Sequence, residues 1–245
     1  MQSMLDYLLT PKNPKALIEK FKDFATDTFG DGLVSIVLYG SAASGEYKKG
    51  VSDLNLVIVL KQIDFDILKL FAYRMTKLGL GSNLIRAPLI LTEKELSDFS
   101  TNFPMEFLSI YNNHMCLYGK DLFEKLKINK EALKREVLAE LNSKLIRFRQ
   151  LYLDAKRAKR PKSFLISSVS AFSQIIKALL YLKGVTVPKS KEERLEKLEK
   201  VLKIDIKPLE LAHSMKYKDA NPNQDEIDEA LLKMPGMIKG FIDYL

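Results

Sequence analysis

Apolar residues recur at two different periods along the 245 residues of the chain. Leu17, Ile18, Phe21, Ala25 and Phe29 fall at helical spacing and predict an amphipathic helix from Pro14 to Phe29, which Gly30-Asp31-Gly32 ends. Two largely apolar runs follow, Val34–Tyr39 and one ending at Leu60. Bounded by Gly and Ser, they read as buried strands. Between them lie Gly40-Ser41, a small polar segment, and Val51-Ser52-Asp53-Leu54-Asn55. A second helix is predicted from Asp64 to Leu78, with Ile67, Leu68, Phe71, Met75 and Leu78 on one face and Gly79-Leu80-Gly81 ending it. Leu84–Leu91 predicts a third strand, which Pro88 breaks or confines to an edge. Thr92 with Glu95 three residues on has the form of a capping box, so a short helix is expected there. A strand-to-strand link followed by strand, helix, strand predicts a small mixed sheet covered by helices.

Asn102-Phe103-Pro104 interrupts this pattern, and the apolar stretch Met105–Tyr118 fits neither period. Beyond residues 119–130 every segment is helical in period. Leu133, Val137, Leu141, Leu145, Phe148 and Tyr152 mark one long helix. Leu165, Val169, Phe172, Ile176 and Leu179 mark the next, with Ser167, Ser168, Ser170 and Ser173 leaving room for close helix approach. Glu192–Leu202, Pro208–Met215 and Gln224–Leu245 read as shorter helices, the last kinked at Pro235-Gly236. The fold class expected is therefore α+β, a small mixed β-sheet with helices over residues 1–122, followed by an all-α helical bundle over 123–245.

Composition narrows the classes. A hydrophobic fraction of 47% with 29% charged residues is that of a soluble globular protein. No uninterrupted apolar run approaches the roughly 18 residues that a bilayer span needs. No basic stretch precedes a long apolar one at the N-terminus, so no signal peptide is expected, and a cytoplasmic location follows with no membrane partner. The single Cys116 rules out an intrachain disulfide framework and a cysteine-rich zinc site, and reads as a buried small hydrophobe. His114 and His213 are single and far apart, which disfavours metal ligation. A net charge of +8 favours polyanionic partners such as nucleotides. The basic run Lys156–Lys162 is read as a solvated turn between helices, because no aromatic residue is interleaved for base stacking.

An apolar strand, Gly40-Ser41, eleven residues, then Asp53-Leu54-Asn55 opening another strand resembles the nucleotidyltransferase superfamily that includes DNA polymerase β. Its minimal and aminoglycoside-type members are the most similar. The resemblance covers residues 15–95 in its motifs, and an appended helical domain is common in the family. It implies nucleotide binding at Gly40 and Ser41, metal binding at Asp53 and Asn55 with Asp53 catalytic, and Mg²⁺ with ATP or another nucleoside triphosphate as cofactors. Glycine at a strand end lets the backbone approach a phosphate, and side chains at i and i+2 of a strand share a face.

The family places two acids at the second strand and a third on the neighbouring one. Only Asp53 is acidic here. Asn55 brings no charge, and Arg86 and Pro88 stand where the third acid is expected. Glu93 and Glu95 read as helix-start charges, and Glu106 is a lone acid among hydrophobes that could reach the site from an adjacent element. Each missing charge at about 4 Å weakens the attraction for a metal by several kcal/mol at an effective dielectric near 20. The function expected is a nucleotidyltransferase-fold protein, catalytically impaired or atypical, with a nucleotide cleft between its two domains. Two alternatives stay open: an active Mg²⁺-dependent nucleotidyltransferase acting on a hydroxyl, and a non-enzymatic protein- or nucleic-acid-binding module.

Overall fold

The protein is described by a computed structural model covering residues 14–45, 47, 53–77 and 85–245. Val51-Ser52, Leu78, Gly79-Leu80-Gly81 and Leu84, part of the elements expected above, lie outside the described residues. The chain forms two compact units. One holds the described residues up to Asn102 together with Ser109–Lys127, and the other holds Phe103–Leu108 and Ile128–Leu245.

In the first unit, α1 (Pro14–Phe29) enters β1 (Leu33–Tyr39) through a single 3₁₀ turn at Gly30–Gly32. A one-turn helix α2 (Ser41–Ser44) precedes β2 (Asn55–Leu60), and α3 (Phe65–Lys77) leads toward β3 (Leu89–Thr92). Helix α4 (Glu93–Asn102) follows, then α5 (Pro104–Tyr111), whose residues up to Leu108 belong to the second unit, and strand β4 (His114–Gly119). The sheet order is β3-β2-β1-β4. β1 pairs antiparallel with β2 and with β4, whereas β2 and β3 are parallel. A parallel neighbour needs a crossover, and the intervening α3 supplies it. The mixed sheet with helices is thus as expected.

Leu33, Ile36 and Leu38 of β1 join Leu56, Ile58 and Leu60 of β2 in one core with α1 and α3. Phe71 is its hub: its ring stacks on Phe24 at 4.8 Å, tilts against Phe29 at 4.8 Å and meets Phe21 edge-on at 6.1 Å. Arg74, one turn on, donates to Thr28 at 3.0 Å and pairs with Asp27, tying α3 to α1. Val37, Val57 and Val59 on the other face are buried too, with α4 lying against β2 and β3. Burial on both faces explains why the strands read as largely apolar runs.

Four local expectations change. The third strand lies at the edge, as Pro88 implied, but it is shorter than expected, beginning only after Pro88, whose missing N–H cannot join a ladder. Ile67 is exposed, so α3 buries a narrower stripe centred on Phe71 and Met75. The ambiguous stretch 105–118 is a short helix and an edge strand, each too short to show its period. Cys116 is only half-buried, since it lies on that edge strand, 3.9 Å from the Ser35 hydroxyl. The Thr92–Glu95 capping box is present: Thr92 donates from N and Oγ1 to the Glu95 carboxylate, and Glu95 N donates back to Thr92 Oγ1.

The second unit contains α6 (Lys130–Arg157), α7 (Pro161–Leu182), α8 (Lys191–Leu202), α9 (Lys207–Tyr217) and α10 (Gln224–Tyr244). Helix α7 touches all four others, which accounts for its apolar composition. It is long and apolar enough to cross a membrane by those criteria alone, but half of that stretch is buried inside the protein. Of its serines, Ser168 is buried while Ser167 and Ser170 are exposed. Helix α10 continues unbroken through Pro235. In the basic run, Lys156 pairs with Asp228 at 2.6 Å, Arg157 with Asp154 at 3.0 Å, and Lys162 donates to Asn221 at 2.8 Å.

Glu106 sits in the first turn of α5 and belongs to this second unit, beside Glu136 of α6. The Glu136 carboxylate accepts from Met105 N at 2.8 Å. Burial pushes its pKa up to about 7, the bond from Met105 opposes this, and the Glu106 and Glu140 carboxylates push it further up. A carboxyl that binds its proton more tightly in the folded state contributes stability that is full below its unfolded pKa and is lost as pH rises through the folded one. Two outcomes are therefore expected. The melting temperature of the wild type relative to Glu136→Gln, followed by circular dichroism, falls between about pH 5 and pH 8. Phe71→Ala lowers the unfolding free energy in urea by about 3–5 kcal/mol.

Candidate functional site

The residues singled out by the motif converge where β1 ends and β2 begins. Tyr39 is paired with Asn55 across β1 and β2 and with His114 across β1 and β4, so three strand ends meet here. Gly40 has φ +79° and ψ −147°, a combination open in practice only to glycine. Its N–H donates to the Asn113 carbonyl at 3.1 Å, and its own carbonyl accepts from Ala43 and Ser44 at 3.2 and 3.0 Å, closing α2. Gly40 N–H is therefore engaged. Among the described residues the Ser41 and Ala42 amides have no such partner.

Asp53 and Asn55 flank the fully buried Leu54 and are themselves only partly covered, the alternation that puts i and i+2 on one face. The Asn55 amide lies against the turn, 3.4 Å from where a side chain on Gly40 would begin. Leu54 bridges in parallel to Ile85, and Arg86 N donates to the Leu54 carbonyl at 3.3 Å. This brings Arg86 alongside Asp53, and its Nε donates to the carboxylate at 2.9 Å. The Tyr39 phenol is pushed above its ordinary pKa by burial, while the Arg86 charge pulls the other way. Both members of the Arg86–Asp53 pair are substantially solvated, so its worth for folding is small, about 0–1 kcal/mol. Its consequence is local charge: one carboxylate and one guanidinium sum to zero where three carboxylates would give −3.

The sequence of residues 18–113 matches the family described as nucleotidyltransferase domain. This part of the chain is a nucleotidyltransferase domain. The fold agrees. A spectinomycin adenyltransferase from Enterococcus faecialis, solved with ATP and spectinomycin, superposes with a TM-score of 0.55 at 15% identity, covering 93% of this chain and 100% of that one. Among curated proteins no sequence gives a significant match.

Among the described residues, the donor set of this nucleotidyltransferase domain does not fit a two-metal centre. Asp53 is shared with Arg86 and Asn55 is neutral, and among the described residues no three carboxylate, histidine or cysteine side chains cluster to hold a metal ion. Glu95 is used as a cap, and bonds from Thr92 hold its carboxyl below the usual range. Sequence reasoning noted Arg86 only as a missing acid and did not see its pairing. It also missed Asn113, which fixes Gly40 and whose Oδ1 is a buried acceptor with no hydrogen-bond partner among the described residues. The signal was Asn112-Asn113 ending an apolar run, a turn signature between α5 and β4. His114, next in sequence, is held by the Asp121 carboxylate at 3.0 Å and the Tyr111 carbonyl at 2.9 Å.

Since the turn is limited by backbone rather than by space, Gly40→Ala is expected to cost roughly 1–3 kcal/mol in urea unfolding. Enlarging the space with Asn55→Ala in the same chain is expected not to restore it.

Proposed function

We propose that the nucleotidyltransferase domain binds the phosphates of ATP or another nucleoside triphosphate around Gly40, Ser41 and Arg86, and that it is impaired or atypical as a transferase. The observation that carries this reading is the Arg86–Asp53 pair at 2.9 Å, a cation at the place where the two-metal reaction uses acids. Among the described residues only Nε of Arg86 is engaged, which leaves the two terminal nitrogens of the guanidinium for a phosphate. A guanidinium matches phosphate oxygens in a fork, and Asp53 orients that fork. Positive charge for the phosphates then comes from the chain itself, and Asp53 acts as a positioning residue. Asn55 keeps an oxygen that can take part in coordinating one Mg²⁺ brought in with the nucleotide, whose phosphates supply the charge.

A second reading is supported by the likeness to an adenyltransferase over nearly the whole chain. In it, Asp53 releases Arg86, binds Mg²⁺ and serves transfer of a nucleoside monophosphate to a hydroxyl with loss of pyrophosphate.

Calorimetric titration with ATP separates them. Binding in EDTA within a few-fold of that in Mg²⁺, weakened about tenfold or more by Arg86→Gln, is the expected result. Asp53-dependent transfer of label from ATP to a hydroxyl acceptor would establish the second reading instead. No binding of any nucleotide would overturn both and leave a module that kept the fold for interaction.

A further inference from the structure

The helical unit contains a cavity of about 300 Å³ enclosed by α6, α7 and α10, at the lower end of the size range of small-molecule pockets. Its walls are apolar: Phe148, Phe164, Phe172, Met234 and Ile238 face it, with the Phe148 and Phe164 rings 5.6 Å apart. Three serines line it, Ser143, Ser167 and Ser168, and the hydroxyls of the last two are spent on the carbonyls of Phe164 and Leu165 at 2.7 and 2.6 Å. Charge is confined to the α6 side. There Lys144 is paired with Glu140 at 3.1 Å, one turn back. Arg147, the next charged residue of the lining, is exposed and has no ion-pair or hydrogen-bond partner among the described residues.

We propose that this cavity binds a small organic acid with an apolar body and a single anionic head, the body against the phenylalanine rings and the head on Arg147. Three features favour that chemistry. A ligand polar along its length would lose more hydrogen bonds to water than Ser143 and the α6 charges can replace, since the rest of the wall is apolar or already bonded. An apolar body displaces water from apolar surface, which is favourable in proportion to the area covered. The unpaired guanidinium supplies a charge-assisted, forked contact for a carboxylate, and with Lys144 neutralised by Glu140 it is the net charge of the lining. The volume suits one short chain or ring system rather than the two acyl chains of a membrane lipid, so the ligand is a free acid. The inference concerns the helical unit alone and stands whichever reading of the nucleotidyltransferase domain holds.

The test uses decanoate, below its micelle concentration, and the uncharged decanol, each titrated into the full-length protein by calorimetry. Saturable binding of one decanoate per chain is expected, with decanol at least tenfold weaker. Arg147→Gln, at an exposed position, is expected to remove that difference by weakening decanoate about tenfold while leaving decanol unchanged. Ala171→Trp, which fills the cavity from α7, is expected to abolish both. Equal affinities for decanoate and decanol, insensitivity to Ala171→Trp in a folded variant, or no saturable binding would overturn the proposal. So would concentration-dependent dimerisation in sedimentation velocity that Ala171→Trp abolishes, which would assign the cavity to a second copy of the chain. Where Ala171→Trp does not fold, the decanoate–decanol comparison in Arg147→Gln decides alone.

Discussion

The backbone at Gly40 is the constraint on which the first unit depends. β1 is bordered on both sides by antiparallel strands, and its end is where both of its ladders stop. The conformation at φ +79° lets the chain leave the sheet abruptly, so that its N–H meets Asn113 from beyond β4 while its carbonyl starts α2. Asn55, at the start of β2, rests against the same atoms. A residue with a side chain would have to adopt a backbone shape that it strongly disfavours, and each of those contacts would shift with it. One small residue therefore sets the relative position of three strand ends and of the groups they carry.

Electrostatics, rather than shape, separates this site from a two-metal one. The alternation around Leu54 still places Asp53 and Asn55 on one face, as the geometry of a strand requires. The charges of Asp53 and Arg86 together sum to zero. Arg86 is brought to Asp53 by backbone pairing, through the Leu54–Ile85 bridge and the amide of Arg86 itself. A carboxylate beside a fixed guanidinium attracts a divalent cation far less than one beside two further acids, and it attracts phosphate through its partner instead.

Much of the fold was legible from periodicity because its segments are long and their burial is one-sided or complete. Helix α1, strands β1 and β2 and the helices from α6 onward all show it. The stretch 105–118 did not, since eight residues of helix and six of strand are too short for either period to declare itself. At the site, Gly40, Asp53 and Asn55 could be found because they are ordered by sequence spacing. Arg86 and Asn113 could not be, because each acts across the sheet, one through a parallel bridge and the other through a backbone carbonyl beyond the adjacent antiparallel strand. No spacing rule carries pairings of that kind. The half-burial of Cys116 was hidden for a related reason: whether a strand lies at an edge is settled by which other strands exist.

Phe103–Leu108 belongs with the C-terminal helices although it precedes β4 in sequence. The order in which the chain leaves a ribosome is therefore not the order in which its units close. Phe107 and Leu108, fully buried in the finished protein, emerge before α6, whose Glu136 takes the amide of Met105. At ordinary elongation rates of about 5–20 residues per second, that interval is on the order of seconds. During it the apolar side chains of Phe107 and Leu108 exist before α6, the helix they are grouped with, has been made.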